Sequence, residues 1–201
     1  DAPRTVSGHA VAVHFVGAAG GPAQIEATEP LDGVLNWLVG DEAITGVKAY
    51  RRVVYRGVWP GIDLDLVPIA RSADAVEDAG VRTAIDGAVL KSVWTVAPGA
   101  DPGAIRLRYE GATTLRLDEV GNLVVETPVG DLVETAPYVY QLDGDGRKTI
   151  EAAFVVDQAG RTVGFEIGRH DPELPLHIDP SVLWSRQISG TSGDFGSNVH
   201  M

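Results

Sequence analysis

Two carboxylates on one predicted strand are the first candidates for chemistry in this sequence. Asp63 and Asp65 alternate with apolar residues in the run IDLDL, residues 62–66. On a strand, residues i and i+2 share a face and lie about 6.5–7 Å apart. That spacing fits a calcium-binding pair, and it also fits a glycoside hydrolase, whose two carboxylates stand roughly 5–9.5 Å apart. Because the chain has 28 acidic residues, chance pairs are common, and the pattern favours a solvated strand face.

A second acidic motif, DGDG at residues 143–146, has the opening of a calcium loop. In such loops alternate oxygen ligands converge on one ion, which makes Asp143 and Asp145 candidate metal ligands. The fifth position is Arg147, a cation where a ligand is needed, and no Glu stands at the twelfth. The motif therefore favours the tip of a β-hairpin, and calcium is the one cofactor that the sequence leaves open.

Two short His/Asp combinations lie near the end of the chain. His170 precedes Asp171, and His177 stands two residues before Asp179. Two histidines and one carboxylate can hold a transition metal. Each aspartate is followed by proline, however, which is typical of a strand boundary. Polar residues at strand ends are therefore the favoured interpretation.

The remaining candidates are aromatic. Trp59 adjoins the turn Pro60-Gly61, so it is the tryptophan that we expect to be exposed and able to stack on a sugar ring. The other three tryptophans stand in strand contexts, where core packing is the commoner role. The sequence carries no GxSxG, Walker, HExxH or dinucleotide-binding motif. No catalytic residue is therefore predicted.

These side chains must be positioned by strands. The 24 glycines and 12 prolines indicate many turns, and alternating apolar and polar runs recur about every 8–12 residues. The pattern predicts an all-β domain over residues 1–180, an antiparallel sandwich or barrel of many short strands. Residues 34–39, VLNWLV, predict a strand buried on both faces. Residues 69–88 are small, acidic and alanine-rich, and predict a surface insertion with at most one short helix, around residues 73–78.

Charge and composition exclude several classes of protein. The net charge of −12 makes nucleic acid an unfavourable partner. There is no cysteine, which excludes disulfides and thiolate metal sites. No apolar run approaches the roughly 20 residues that span a bilayer. Residues 1–8 lack the apolar stretch of a signal peptide, so we expect any such peptide to have been removed.

A set of ordered landmarks gives the chain a family resemblance. They are YRRVVYRGVWPGIDL at 50–64, VAPGADP at 96–102, IRLRYEGA at 105–112, APYVYQ at 136–141 and LHIDP at 176–180. Their order resembles the N-terminal domain that precedes SBBP repeats, of the seven-bladed β-propeller type, in large secreted bacterial proteins. The match covers roughly residues 31–180. Residues 183–199, LWSRQISGTSGDFGSNV, resemble the first strand of such a repeat.

The resemblance implies a non-catalytic module, extracellular or on the cell surface, that caps or presents a repeat array. It carries over no catalytic residue. The implied partners are the downstream repeats of the same chain, and residues 181–201 are expected to pack on the main domain as the first strand of a repeat. Two alternatives stay open: a carbohydrate- or calcium-binding adhesion module that uses Trp59, Asp63 and Asp65 toward a surface glycan or protein, and a carboxylate-based hydrolase.

Overall fold

Strands make up nearly all the regular structure in the described part of the chain. The computed structural model describes residues 9–18, 24–39, 42–69, 89–144 and 146–184. The strands within these ranges are β1 (Ala12–Phe15), β2 (Gln24–Pro30), β3 (Leu35–Val39), β4 (Glu42–Val47), β5 (Tyr50–Trp59), β6 (Ile62–Ile69), β7 (Val89–Val96), β8 (Leu107–Glu110), β9 (Thr114–Leu117), β10 (Leu123–Glu126), β11 (Leu132–Glu134), β12 (Tyr138–Asp143), β13 (Gly146–Ile150), β14 (Ala152–Asp157), β15 (Thr162–Ile167), β16 (Leu176–Asp179) and β17 (Ser181–Trp184).

The all-β prediction is confirmed by this element list. The helical element found within the described ranges is a single 3₁₀ turn, Pro102–Ala104. No helix there is long and apolar enough to cross a membrane. The predicted short helix around residues 73–78 lies outside the described residues.

Two sheets pack against each other as a sandwich. The larger has eleven strands, and the smaller has four in the order β1-β8-β15-β14, with antiparallel pairing throughout. Their inner faces form one apolar core, to which the larger sheet contributes Ile62 and Trp94 and the smaller contributes Phe154 and Val163. Burial of apolar side chains between the sheets is the main stabilisation available to such a fold.

Strand β7 is the central strand of the larger sheet. On one side it pairs with β6 along its whole length, from Ile62↔Val96 to Ile69↔Val89. On the other side it pairs first with β16 and then with β17, and the register does not change between them. Pro180 separates these two halves, and its carbonyl accepts a hydrogen bond from Ser92 N–H at 3.3 Å. Residues 176–184 therefore form one interrupted strand along the edge of β7.

Strands β3 and β4 form a two-stranded ribbon that continues the β2–β5 hairpin. We call residues 31–49 the ribbon. Gly46, with φ of 74°, lies where the register shifts, and its N–H donates to Oδ1 of Asn36 at 2.9 Å. Val34 is 55% exposed and Leu35 48%, so the prediction of burial on both faces is wrong for this part of 34–39. The reason is that no second layer formed by the described residues covers the ribbon at Val34 and Leu35.

A buried tyrosine–carboxylate pair joins the two sheets. Tyr109 of β8 donates its hydroxyl to Oε1 of Glu134 of β11 at 2.5 Å. Glu134 is 7% exposed and Tyr109 3%. Burial raises the pKa of Glu134 and the Tyr109 hydrogen bond only partly offsets this, because desolvation penalises the charged carboxylate. Burial and the neighbouring carboxylate also raise the pKa of Tyr109.

This pair predicts a pH-dependent contribution to stability. A carboxyl whose pKa is higher in the folded than in the unfolded state stabilises the fold below its unfolded pKa, and that contribution is lost as pH rises through the folded pKa. We expect Glu134→Gln to gain stability relative to the parent protein between pH 4 and pH 7, measured by urea unfolding. Tyr109→Phe, which keeps the carboxyl but removes its donor, should enlarge the pH dependence. A difference between parent and Glu134→Gln that stays constant over this range would contradict the prediction.

Candidate functional site

The outward face of the larger sheet, turned away from the core, carries a ladder of charged side chains. Arg52 of β5 donates two hydrogen bonds to Asp65 of β6, from Nε to Oδ1 at 3.0 Å and from Nη2 to Oδ2 at 2.7 Å. Arg56 of β5 donates from Nη1 to Oδ2 of Asp63 at 2.8 Å. The Nε of Arg56 also lies 3.7 Å from Oε2 of Glu26 on β2. Three neighbouring strands are thus linked by ion pairs.

Local backbone geometry places a further donor beside Asp63. The register of β5 against β6 shifts between Tyr55 and Trp59, which marks a β-bulge. Gly57 lies in this bulge with φ of 59°, a left-handed conformation that glycine adopts without strain. Its N–H donates to Oδ1 of Asp63 at 2.7 Å. Burial alone would raise the pKa of Asp63, but the hydrogen bonds from Gly57 and Arg56 outweigh it and lower that pKa.

These contacts change the interpretation of the predicted carboxylate pair. Asp65 is only 8% exposed, so the expectation of a solvated carboxylate is wrong at this position. The cross-strand register explains this, because it sets Val54 opposite Asp65 and brings Arg52 within reach. Each of the two carboxylates has its own arginine partner. The spacing that suggested a calcium pair or a hydrolase pair is used here for ion pairing.

Trp59 lies in the core, and the prediction that it is exposed was wrong. Its side chain is 3% exposed, and its Nε1–H donates to the carbonyl of Val16 at 3.1 Å. The ring packs edge-on against Phe15 of the smaller sheet and lies 5.7 Å from the Trp94 ring. The strand runs on to Trp59 before the turn begins at Pro60, and this inward position joins the two sheets.

A row of planar side chains crosses the other half of the outward face. Tyr138 and Tyr140 alternate with buried residues along β12, and His177 of β16 lies opposite Tyr140. Ring centroids are 5.4 Å apart for Tyr138 and Tyr140, and 5.0 Å apart for Tyr140 and His177. The Arg147 guanidinium of β13 lies 4.6 Å from the Tyr140 centroid. We call Tyr138, Tyr140, His177 and Arg147 the aromatic array; Tyr138, at its end, is 41% exposed.

The predicted combination of His177 and Asp179 does not pair internally. The Oδ2 atom of Asp179 lies 2.6 Å from Nζ of Lys91 on β7, and its buried Oδ1 has no hydrogen-bond partner among the described residues. Nδ1 of His177 lies 3.5 Å from Oγ1 of Thr95. Desolvation and then the charge of Arg147 lower the pKa of His177, so its ring is neutral at neutral pH.

Comparison with known proteins gives a family for the chain. A family model described as a domain of unknown function (DUF7948) matches residues 1–181. The chain belongs to this family. No curated protein and no solved structure matches it. The description of the DUF7948 family names no activity, ligand or partner.

In this DUF7948 domain the DGDG motif lies at the end of a hairpin. Asp143 pairs with Gly146 in the β12–β13 ladder, which confirms the hairpin prediction. Asp145 lies outside the described residues, so the predicted metal pair of Asp143 and Asp145 is described only in part. In the described ranges, no group of three or more His, Asp or Glu side chains is placed to hold a metal ion.

The other predicted histidine lines a small cleft of the DUF7948 domain. The cleft has a volume of about 280 Å³, and His170, Pro172 and Leu174 form part of its wall. The fully buried Gln141 holds this wall in place. Its Nε2 donates to the carbonyls of Asp171 at 2.7 Å and Leu174 at 3.0 Å, and its Oε1 accepts from Asp171 N–H at 2.9 Å. His170 and His177 thus belong to different surroundings.

The aromatic array is the candidate site that the sequence reading missed. A signal was present in β12, where Tyr138, Tyr140 and Leu142 alternate with Val139 and Gln141. Val139 and Gln141 are buried, so the large side chains of Tyr138, Tyr140 and Leu142 lie on the outward face. Large apolar or aromatic side chains on a solvent-facing surface indicate a contact surface. The contribution of His177 and Arg147 could not be read in the same way, because it depends on which strands flank β12.

The charged ladder predicts unequal effects of two arginine substitutions. Arg52→Ala should lower the free energy of unfolding by about 2 kcal/mol, because it leaves the buried Asp65 carboxylate without its donors. Arg56→Ala is the matched control and should cost less, because Asp63 is more exposed and retains the Gly57 N–H. Urea unfolding of both variants measures the difference.

A double variant tests whether the loss of stability comes from the unpaired Asp65 carboxylate. Arg52→Ala combined with Asp65→Ala should recover part of the loss, because no buried carboxylate is then left unpaired. Equal losses for Arg52→Ala and Arg56→Ala, or no recovery in the double variant, would contradict the assigned role of the Arg52–Asp65 pair.

Proposed function

We propose that this DUF7948 domain is a non-catalytic structural and interaction module of a secreted or cell-surface bacterial protein, which caps or presents a β-propeller-type repeat array. The resemblance of residues 31–180 to the domain that precedes SBBP repeats supports the class and the location. The observation that carries the proposal is the position of β17, because Leu183 and Trp184, the first two of the residues that resemble a repeat, are paired in the larger sheet.

Strand β17 is paired on both of its edges. Ser181 and Val182 pair with Lys91 and Leu90 of β7, while residues 182–184 pair with residues 132–134 of β11. Extracting an interior strand requires breaking backbone hydrogen bonds on both sides at once. A repeat that begins here would start from a fixed position and direction relative to the domain. A module that presents an array requires such a fixed start.

Truncation tests the contribution of β17 to the domain. A chain that ends at Pro180 should melt about 6–12 °C below a chain that ends at Trp184, since losing about 3 kcal/mol shifts the melting temperature by about 2–4 °C per kcal/mol at this size. The chain ending at Trp184 is the matched control, because both chains lack residues 185–201. Equal melting temperatures would overturn the structural role given to β17. The parent sequence beyond residue 201 supplies a second check, since the proposal requires further copies of the repeat there.

A second candidate function is carbohydrate binding by the aromatic array, and we propose it because of the exposure of Tyr138. Tyr140 already contacts three planar groups, whereas Tyr138 ends the row and leaves a surface on which a sugar ring can stack. Arg147 and Thr149 offer hydrogen-bond donors beside it on β13. This candidate places glycan contact on the array rather than on the buried Trp59.

A glycan array followed by calorimetry tests the second candidate. For any glycan that binds, Tyr138→Ala should weaken affinity about tenfold, which corresponds to about 1.4 kcal/mol. Val155→Ala is a matched control, because Val155 is 49% exposed on the smaller sheet. An array without binding, or a glycan whose affinity is unchanged by Tyr138→Ala, would remove carbohydrate binding at this face. A calcium titration in the same calorimeter addresses the metal-dependent form of the alternative.

A further inference from the structure

One end of the larger sheet brings together two features of the chain, the base of the ribbon and the end of β17. The paired residues Pro30↔Tyr50, Ile69↔Val89 and Val133↔Leu183 mark this end on successive strands. The ribbon leaves the sheet beyond Pro30 and returns at Tyr50. The chain also leaves β17 at this end, because β17 runs antiparallel to β7 and pairs near the start of β7. The base of the ribbon and Trp184, the last described residue, therefore lie at the same end of the larger sheet.

The ribbon carries exposed apolar side chains without a covering layer. Within the described residues, β3 and β4 form a separate sheet of two strands. An isolated two-stranded ribbon is marginally stable in water. Its exposed apolar residues, with the exposed fraction of each, are Leu31 at 37%, Val34 at 55%, Leu35 at 48% and Ile44 at 50%. A protruding ribbon of this composition fits a contact surface.

Strand spacing places the chain exit close to the ribbon. From β5 to β17 the sheet passes through β6 and β7, which is three strand spacings or about 14 Å. The arm of the ribbon from residue 31 to residue 39 reaches roughly 26 Å at about 3.3 Å per residue. A repeat that begins directly after Trp184 would therefore start within the span of the ribbon.

We propose that the ribbon docks the repeat that follows β17 in the same chain. This inference rests on the proposed function, in which residues 181–201 begin that repeat. The contact is apolar, made by Leu35 and Ile44 against the edge or face of the first repeat. Because the repeat is covalently attached and begins about 14 Å from the base of the ribbon, its effective concentration there is in the millimolar range, which favours it over a second copy of the chain in dilute solution. The docked ribbon then fixes the angle between the domain and its repeats.

Amide hydrogen exchange compares the chain ending at Trp184 with the natural chain continued through its first complete repeat. Ribbon amides in residues 31–36 and 43–49 should exchange at least tenfold more slowly when the repeat is present. Ile44→Ser should abolish this added protection, and Leu35→Ser provides a second variant if Ile44→Ser lowers the melting temperature. Val155→Ser, at 49% exposure on the smaller sheet, is the matched control and should leave the protection intact.

The outcomes separate this inference from the function on which it rests. A natural chain without a repeat after residue 201 would overturn the proposed function itself. A repeat that is present, with ribbon exchange unchanged, would overturn ribbon docking alone. Ribbon protection that rises with protein concentration in the chain ending at Trp184 would assign the ribbon to contact between copies, and would overturn docking of the repeat.

Discussion

The two-sided pairing of β7 is the constraint on which the rest of the larger sheet depends. One edge of β7 pairs with β6, and β6 pairs with β5, so β7 positions the charged ladder and the ribbon through these two strands. The other edge takes β16 and β17, and through them β12 and β11. Residues 176–184 keep one register along β7 on both sides of Pro180. Strand β12 continues the sheet from β16, and β11 continues it from β17, so both groups of strands are aligned on β7. The outward face and the sandwich core are both consequences of this arrangement.

The sequence predicted the presence of strands more accurately than the burial of their side chains. Alternation of apolar and polar residues predicted the all-β class, and turn residues predicted the hairpin at Asp143–Gly146. Those features are local, so neighbouring residues determine them. Trp59 was misplaced because its burial depends on Phe15, which is 44 positions earlier and belongs to the other sheet. The burial of Trp59 depends on the packing of one sheet on the other, which the local sequence around Trp59 does not determine.

The candidate site shows the same division between local and cross-strand information. The sequence places Asp63 and Asp65 on one face of a strand, as observed, but their arginine partners depend on the register of β5 against β6. The aromatic array joins residues of β12, β13 and β16, and only the strand order brings these together. On this outward face, the arginine–carboxylate ladder joins β2, β5 and β6, while the stacked planar side chains lie on β12, β13 and β16. The two halves of one surface therefore differ in composition, with ion pairs between strands on one side and stacked planar groups on the other.

The pairing of Ile69 with Val89 has a consequence for how this family can vary. It holds the two ends of the β6–β7 connection opposite each other, whatever the connecting residues 70–88 contain. The entropic cost of closing a flexible loop rises by only about 0.6 kcal/mol for each doubling of its length. Lengthening, shortening or replacing this connection should therefore have little effect on the sheet. The same property makes it a suitable position for grafting a reporter domain or an affinity tag, since both ends of the graft would be anchored by backbone hydrogen bonds.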